Sequence, residues 1–163
     1  IDAEGDAFGE CVDGIDQTAL ETSVADYSGQ LEELDGWMQD QFDTIPSDSK
    51  SLVTNHHLFG YLADRFGFTI VGTVIPGGTT LAAPSAADFA ELSADITTAG
   101  VSTIFADASS PDDLARALAN EAGIDVRVEP LFTESLTPAG GGAESYLEMM
   151  RANTERITSG LAP

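Results

Sequence analysis

The sequence predicts an α/β fold, namely a four-stranded parallel sheet flanked by helices and preceded by one long helix. Between residues 51 and 160, four short apolar or β-branched segments alternate with four helical patterns. Such alternation is typical of parallel sheets whose strands are joined by crossover helices. Before it, from residue 20 to residue 45, apolar residues recur every three or four positions, which predicts one helical face.

The N-terminal part divides into two predicted segments. Residues 1–19 are acidic and glycine-bearing, and we expect a poorly ordered lead-in. Residues 20–45 are the predicted long helix, which ends where Pro46 forbids its continuation. The apolar stripe of this helix consists of Val24, Tyr27, Leu31, Leu34, Met38 and Phe42. Residues 46–163 then form the predicted α/β lobe.

The first half of the lobe contains two predicted strands and one helix. Residues 51–54 are a short buried strand, and residues 58–66 form a helix that Gly67 closes. Residues 68–74 are rich in β-branched side chains, which favours a second strand. A loop rich in proline and glycine follows at residues 75–83.

The next predicted helix has Ser85 as its N-cap and Gly100 as its end. Its apolar face consists of Phe89, Leu92 and Ile96. Residues 101–106 are the third predicted strand.

The last two predicted helices come before and after the fourth predicted strand, which is at residues 125–129. Before that strand, Ser109 or Ser110 caps a helix with Pro111 at its first position. Its inward positions are Leu114, Leu118 and Ala122. The final helix runs over residues 143–160.

The charge of the chain is extreme. Six Lys and Arg stand against 28 Asp and Glu, for a formal net charge of −22, while 42% of residues are hydrophobic. The composition is that of a globular protein. Its negative charge repels a phosphate backbone, so we expect no nucleic-acid partner. It attracts cations, but a salt-adapted surface has the same composition.

Polar side chains that bind metals follow three of the predicted strands. His56 and His57, the only histidines, follow the first strand, Asp107 follows the third, and Glu134 follows the last. Ligands of such folds bind outside the carboxyl ends of the strands. Imidazole with carboxylate suits zinc, manganese or ferrous iron. A histidine alone is more often a cap or a surface group.

Five motifs, in chain order, carry a family resemblance. They are residues 52–61 (LVTNHHLFGY), 84–89 (PSAADF), 104–107 (IFAD), 131–136 (LFTESL) and 145–153 (SYLEMMRAN). Together they resemble the C-terminal lobe of the zinc- and manganese-type solute-binding proteins of ABC transporters, the ZnuA/TroA-like family. The long helix at residues 20–45 resembles the spine that links the two lobes of that family.

The resemblance implies a function and a site. Its members bind one zinc or manganese ion between two lobes, outside the cytoplasm, and deliver the ion to a membrane permease. His56 matches the histidine ligand of the C-terminal lobe, and Glu134 stands where the family usually has Asp. Asp107 and His57 are expected beside these ligands, with helix capping and solvent exposure as their respective alternatives. The N-terminal lobe, with two further ligands, is missing from the chain.

The resemblance therefore implies that this chain supplies one side of a metal site. Zinc is the first expectation and manganese the second. The protein is expected in the periplasm or, lipid-anchored, on the outer face of the plasma membrane. No Ser-His-acid or Cys-His arrangement is evident, so we expect no catalysis.

Two other functions stay open at this point. A metal-dependent hydrolase on a similar sheet would need an open metal position and a general base, for which Asp107 and His57 are candidates. A surface adhesion or interaction module has only the acidic composition in its favour.

Overall fold

A computed structural model describes residues 14, 16–75, 85–109, 111–123 and 126–162. They fall into two compact units, residues 1–39 and residues 40–163. The described part of the first unit is almost wholly helix α1 (Gln17–Phe42), whose last turn belongs to the second unit.

Helix α1 begins and ends three residues before the predicted bounds. The carboxylate of Asp16 accepts a hydrogen bond from the Ala19 amide at 3.1 Å, which caps the helix early. Residues 17–19 are therefore helical rather than part of the predicted lead-in, and residues 1–13 and 15 lie outside the described residues. At the other end the chain leaves the helix in a turn, in which the Ile45 amide bonds to the Phe42 carbonyl at 3.1 Å.

The second unit contains the predicted four-stranded parallel sheet. Its strands are β1 (Ser51–Thr54), β2 (Thr69–Thr73), β3 (Thr103–Asp107) and β4 (Arg127–Leu131). They lie in the order β2-β1-β3-β4, and every pair is parallel. All five residues of β3 are buried because this strand is central, whereas the edge strands β2 and β4 are partly exposed.

Among the described residues of this unit, four helices accompany the sheet: α2 (Gly60–Phe66), α3 (Ala86–Ala99), α4 (Asp113–Ala122) and α5 (Tyr146–Leu161), with a 3₁₀ turn at Ser47–Ser49. The predicted cap of α3 is confirmed, since the Ser85 hydroxyl accepts from the Asp88 amide at 3.2 Å and the Asp88 carboxylate accepts from the Ser85 amide at 3.1 Å. The predicted end at Gly100 is also confirmed. That residue has a φ of 65°, which glycine adopts without strain.

The predicted start of helix α4 was wrong. The helix begins at Asp113 after Asp112, because the Ser109 hydroxyl bonds to the Asp107 carboxylate instead of capping, and Ser110 lies outside the described residues. The prediction of the inward face of α4 was partly wrong as well. Leu114 is 39% exposed, while the buried positions are Ala115, Leu118 and Ala119. The small alanines let α4 approach its neighbours closely.

Strand β4 lies two residues beyond its predicted position, at Arg127–Leu131 instead of 125–129. The prediction stopped the strand before Pro130, which cannot donate a ladder hydrogen bond. Pro130 nevertheless pairs with Ala106 inside the strand. It is tolerated because β4 is an edge strand with only one neighbour.

Helix α5 begins at Tyr146, three residues after the predicted start. The Ser145 hydroxyl accepts from the Glu148 amide at 3.3 Å, and the Glu148 carboxylate accepts from the Ser145 amide at 3.0 Å. This reciprocal pair caps the helix and sets its first turn.

The core of the unit contains an aliphatic cluster and an aromatic group. The aliphatic cluster contains Val53, Val74, Leu92, Ile96, Val101, Ile104 and Leu118. Phe42 is fully buried, with its ring 5.0 Å from that of Phe66 and 4.9 Å from that of Phe68, both edge-on. Among the described residues, no helix is both long and apolar enough to cross a bilayer.

Candidate metal centre

The candidate residues lie at the carboxyl edge of the sheet, where its strand order reverses. From β1 the chain goes to β2 on one side, and the next strand, β3, pairs with β1 on the other side. Such a reversal opens a crevice beyond the strand ends, where α/β folds bind ligands. His56 comes two residues after β1, and Asp107 is the last residue of β3.

His56 is half-buried and held by its neighbours in sequence. Its carbonyl accepts from the Thr54 hydroxyl at 2.9 Å. Its Nε2 atom lies 3.1 Å from Nδ2, the side-chain amide nitrogen of Asn55. Because an amide nitrogen only donates, Nε2 is the acceptor of this bond. A metal ion bound to Nε2 would use the lone pair that now accepts from the side-chain amide of Asn55.

Asp107 is buried, at 5% exposure, and its two carboxylate oxygens serve two different loops. Oδ1 accepts from the amide and the hydroxyl of Ser109, each at 2.7 Å, and Oδ2 accepts from the Thr133 hydroxyl at 2.9 Å. Burial raises the pKa of Asp107, but the bonds from Ser109 and Thr133 and the charge of His56 outweigh it and lower the pKa. Asp107 is therefore an anion at neutral pH.

Glu134 lies on the loop that follows β4, directly after Thr133. Glu134 is exposed. Asp107 is thus the connection between the His56 side of the crevice and the loop that carries Glu134. A helix-capping role for Asp107 does not fit, since helix α4 starts six residues later.

His57 belongs to a different part of the surface. It is exposed, and its Nε2 lies 3.1 Å from the Thr73 hydroxyl on β2. Since β2 and β3 flank β1 on opposite sides, this contact takes the ring away from Asp107. His57 lines a cavity of about 270 Å³ between β2 and α3, together with Asp88, Glu91 and Asp95 among other residues.

Within the described ranges, no three His, Cys, Asp or Glu side chains come close enough together to hold a metal ion. Closed zinc sites have four ligands, and open ones have three from protein. A site built on the predicted ligands His56 and Glu134 would therefore need further ligands from outside the described residues.

Sequence reasoning missed the side chains that hold Asp107 and the segment before Glu134. Thr133 and Ser109 orient Asp107, and Asn153 on α5 bonds to both backbone groups of Phe132. A signal existed for two of them, because Thr133 and Asn153 lie in the motifs at residues 131–136 and 145–153. Their partners are 26 and 21 residues away in sequence, which local patterns do not indicate.

The chain matches one protein family over most of its length. Residues 6–160 match the ZnuA family, whose description is "Zinc-uptake complex component A periplasmic".

Relatives of known name agree with this match. The chain is 31% identical over 140 residues to the zinc-binding protein TroA of Treponema pallidum, and 25% identical over 136 residues to the manganese-binding lipoprotein MntA of Halalkalibacterium halodurans. Each match covers 83% of this chain, but only 45% of TroA and 44% of MntA. The chain thus spans less than half the length of these relatives.

The fold agrees as well. The structure of the periplasmic zinc-binding protein TroA from Treponema pallidum superposes with a TM-score of 0.86 at 26% identity. The superposition covers 99% of this chain and 59% of that one.

Proposed function

The chain belongs to the ZnuA family, and from that premise we propose that it is the metal-binding lobe of an extracytoplasmic solute-binding protein of an ABC importer. In this function the lobe binds a divalent transition metal in a cleft, and a membrane permease receives the ion. His56 and Glu134 are the ligands from this chain. A second lobe, outside these 163 residues, supplies the other side of the cleft.

The observation that carries the proposal is the link that Asp107 makes across the carboxyl edge of the sheet. Its buried carboxylate binds Thr133, the residue before Glu134, and it lies close enough to His56 for their charges to interact. An imidazole on the loop after β1 and a carboxylate on the loop after β4 are a partial shell for a borderline metal ion. The anionic Asp107 also raises the attraction of this edge for a cation.

Zinc is the first cargo and manganese the second. Imidazole favours zinc, and each added carboxylate oxygen shifts the preference towards manganese. TroA is named for zinc and MntA for manganese, so relatives of both kinds match the chain. Glu134 is one methylene longer than the Asp that the family usually has, and this extra reach changes how the carboxylate meets the ion.

The partners and the location follow from the same relatives. The ZnuA description and the TroA structure are periplasmic, and MntA is a lipoprotein. These descriptions support the proposed location outside the cytoplasm, from which this protein would deliver the ion to a membrane permease. The charge of −22 agrees with a cationic cargo and with a partner other than nucleic acid.

A hydrolase fits the geometry less well. The carboxylate of Asp107 is held by Ser109 and Thr133, and His57 contacts β2 on the far side of β1. Neither side chain is placed to activate a water beside His56 and Glu134, which a general base requires. No contact of the described residues favours an adhesion module.

Zinc titration of the 163-residue chain by calorimetry tests the proposal. Because only part of a shell is present, we expect a dissociation constant weaker than about 1 µM. His56→Ala and Glu134→Ala should each weaken binding further, by about tenfold or more. His57→Ala is the matched control, being an adjacent histidine with a different contact, and should leave binding unchanged. Sub-micromolar binding would contradict the partial site, and sensitivity to His57 alone would contradict the ligand assignment.

A further inference from the structure

Asn153 is a buried polar residue to which the proposed function has so far given no role. It lies on α5 at 2% exposure. Its Nδ2 atom donates to the Phe132 carbonyl at 2.7 Å, and its Oδ1 atom accepts from the Phe132 amide at 2.9 Å. One side-chain amide thus satisfies both backbone groups of a single residue, as a neighbouring strand would.

These two bonds occur just beyond the end of strand β4, where the chain leaves the sheet. Strand β4 ends at Leu131, whose carbonyl accepts from the Ala108 amide at 2.8 Å. Phe132 is the next residue and has left the strand. Without Asn153, its half-buried backbone groups would lose their partners, and a buried polar group that loses its partner is costly.

A second side chain of α5 holds the same segment. Arg156 donates to the Pro130 carbonyl at 2.7 Å, and its guanidinium lies 4.3 Å from the centre of the Phe132 ring. One residue further on, the Thr133 hydroxyl is bound to Asp107 on β3. Residues 130–133 are thus held from α5 and from β3, and Glu134 is the first residue beyond this support.

We propose that Asn153 is a positioning residue of the metal site, which acts through the backbone of Phe132 to place Glu134 opposite His56. The inference rests on the proposed function, because it needs Glu134 as a ligand. Asn153 does not touch the ion. It keeps the loop in one arrangement before the ion arrives, so less ordering is needed when the Glu134 carboxylate binds.

A double-mutant cycle with zinc titration of the 163-residue chain tests this inference. Asn153→Leu keeps the branched shape of the side chain and removes both hydrogen bonds. We expect it to weaken zinc binding about tenfold, the lower end of the losses seen when a group that orients a ligand is removed. In a Glu134→Ala background the same change should cost less than about twofold, because the effect passes through Glu134. Hydrogen exchange of the Phe132 amide should become faster in both backgrounds.

Two further variants keep the test decisive. Thr154→Val is the matched control, since Thr154 is also buried on α5 but its hydroxyl bonds within the helix, to the Met150 carbonyl at 2.7 Å. It should leave zinc affinity unchanged. If Asn153→Leu does not fold, Asn153→Asp retains the acceptor for the Phe132 amide and loses the donor to its carbonyl, and it should weaken binding in the same direction.

The outcomes separate the inference from the proposed function. An equal loss with and without Glu134, or a loss as large in Thr154→Val, overturns the inference and leaves a purely structural role. A loss with Glu134→Ala but none with Asn153→Leu or Asn153→Asp overturns the inference alone. No loss with Glu134→Ala overturns the ligand assignment and the inference that rests on it.

Discussion

Replacement of Asp107 should affect stability and metal binding together, because its carboxylate joins two loops at the candidate site. Asp107→Ala removes the acceptor of three hydrogen bonds, two from Ser109 and one from Thr133. Hydrogen bonds to a charged group contribute about 1.5–3 kcal/mol each, and donors left at the surface recover much of this from water. Ser109 is exposed and Thr133 is half-buried, so we expect a net loss of about 3 kcal/mol in the free energy of unfolding.

The measurements are chemical and thermal denaturation, both followed by circular dichroism, with zinc titration alongside. At about 3 °C per kcal/mol for a chain of this size, the melting temperature should fall by roughly 10 °C. Zinc affinity should fall about tenfold or more, since Thr133 no longer holds the loop of Glu134. Glu155→Gln, an exposed acid on α5, is the control for the loss of one negative charge.

The pH dependence has a definite sign. Asp107 has a lowered pKa in the folded protein, so its stabilisation is present above the unfolded pKa of about 4. It is lost as the pH falls through the lower, folded pKa. Asp107→Asn should therefore flatten the loss of stability at acid pH. An Asp107→Ala protein with unchanged stability and unchanged zinc affinity would refute the reasoning.

The other predictions concern charge and packing. Addition of about 1 M NaCl should raise the melting temperature by screening the self-repulsion that a net charge of −22 produces; a melting temperature that falls or stays constant contradicts this. Phe42→Ala should cost about 3–5 kcal/mol in urea denaturation, because the fully buried ring contacts Phe66 and Phe68 edge-on. Tyr61→Ala, at an aromatic residue with 93% exposure, is its control and should be nearly neutral. A loss below about 1 kcal/mol for Phe42→Ala would show that this aromatic group is not a core element.

The features that sequence predicted well depend on neighbours within a few residues. The Ser85 cap could be predicted because its partner is Asp88, three residues on. Gly100 could be predicted because a helix end favours glycine locally. The alternation of strands and helices, and hence the α/β class, follows from hydrophobic periodicity in the same way.

Some of the predictions that failed involved contacts between distant parts of the chain, whereas others missed local bonds, such as that of Ser109 to Asp107 two residues away. The Ser109 hydroxyl was expected at a helix cap and is taken by Asp107, whose orientation depends on Thr133 at the end of another strand. The inward face of α4 depends on how that helix lies against the sheet, so Leu114 and Ala115 exchanged roles. Local periodicity gives the face of a helix only to within one position.

The sequence by itself determined the fold class, the family and the edge of the sheet at which to look, because His56, Asp107 and Glu134 each follow a strand end. Only the tertiary structure decided which side chains these residues contact. The order β2-β1-β3-β4 sets β3 between β1 and β4, and there Asp107 binds Thr133, while His57 contacts β2. Strand order depends on long-range pairing, and no pattern within a single segment contains it.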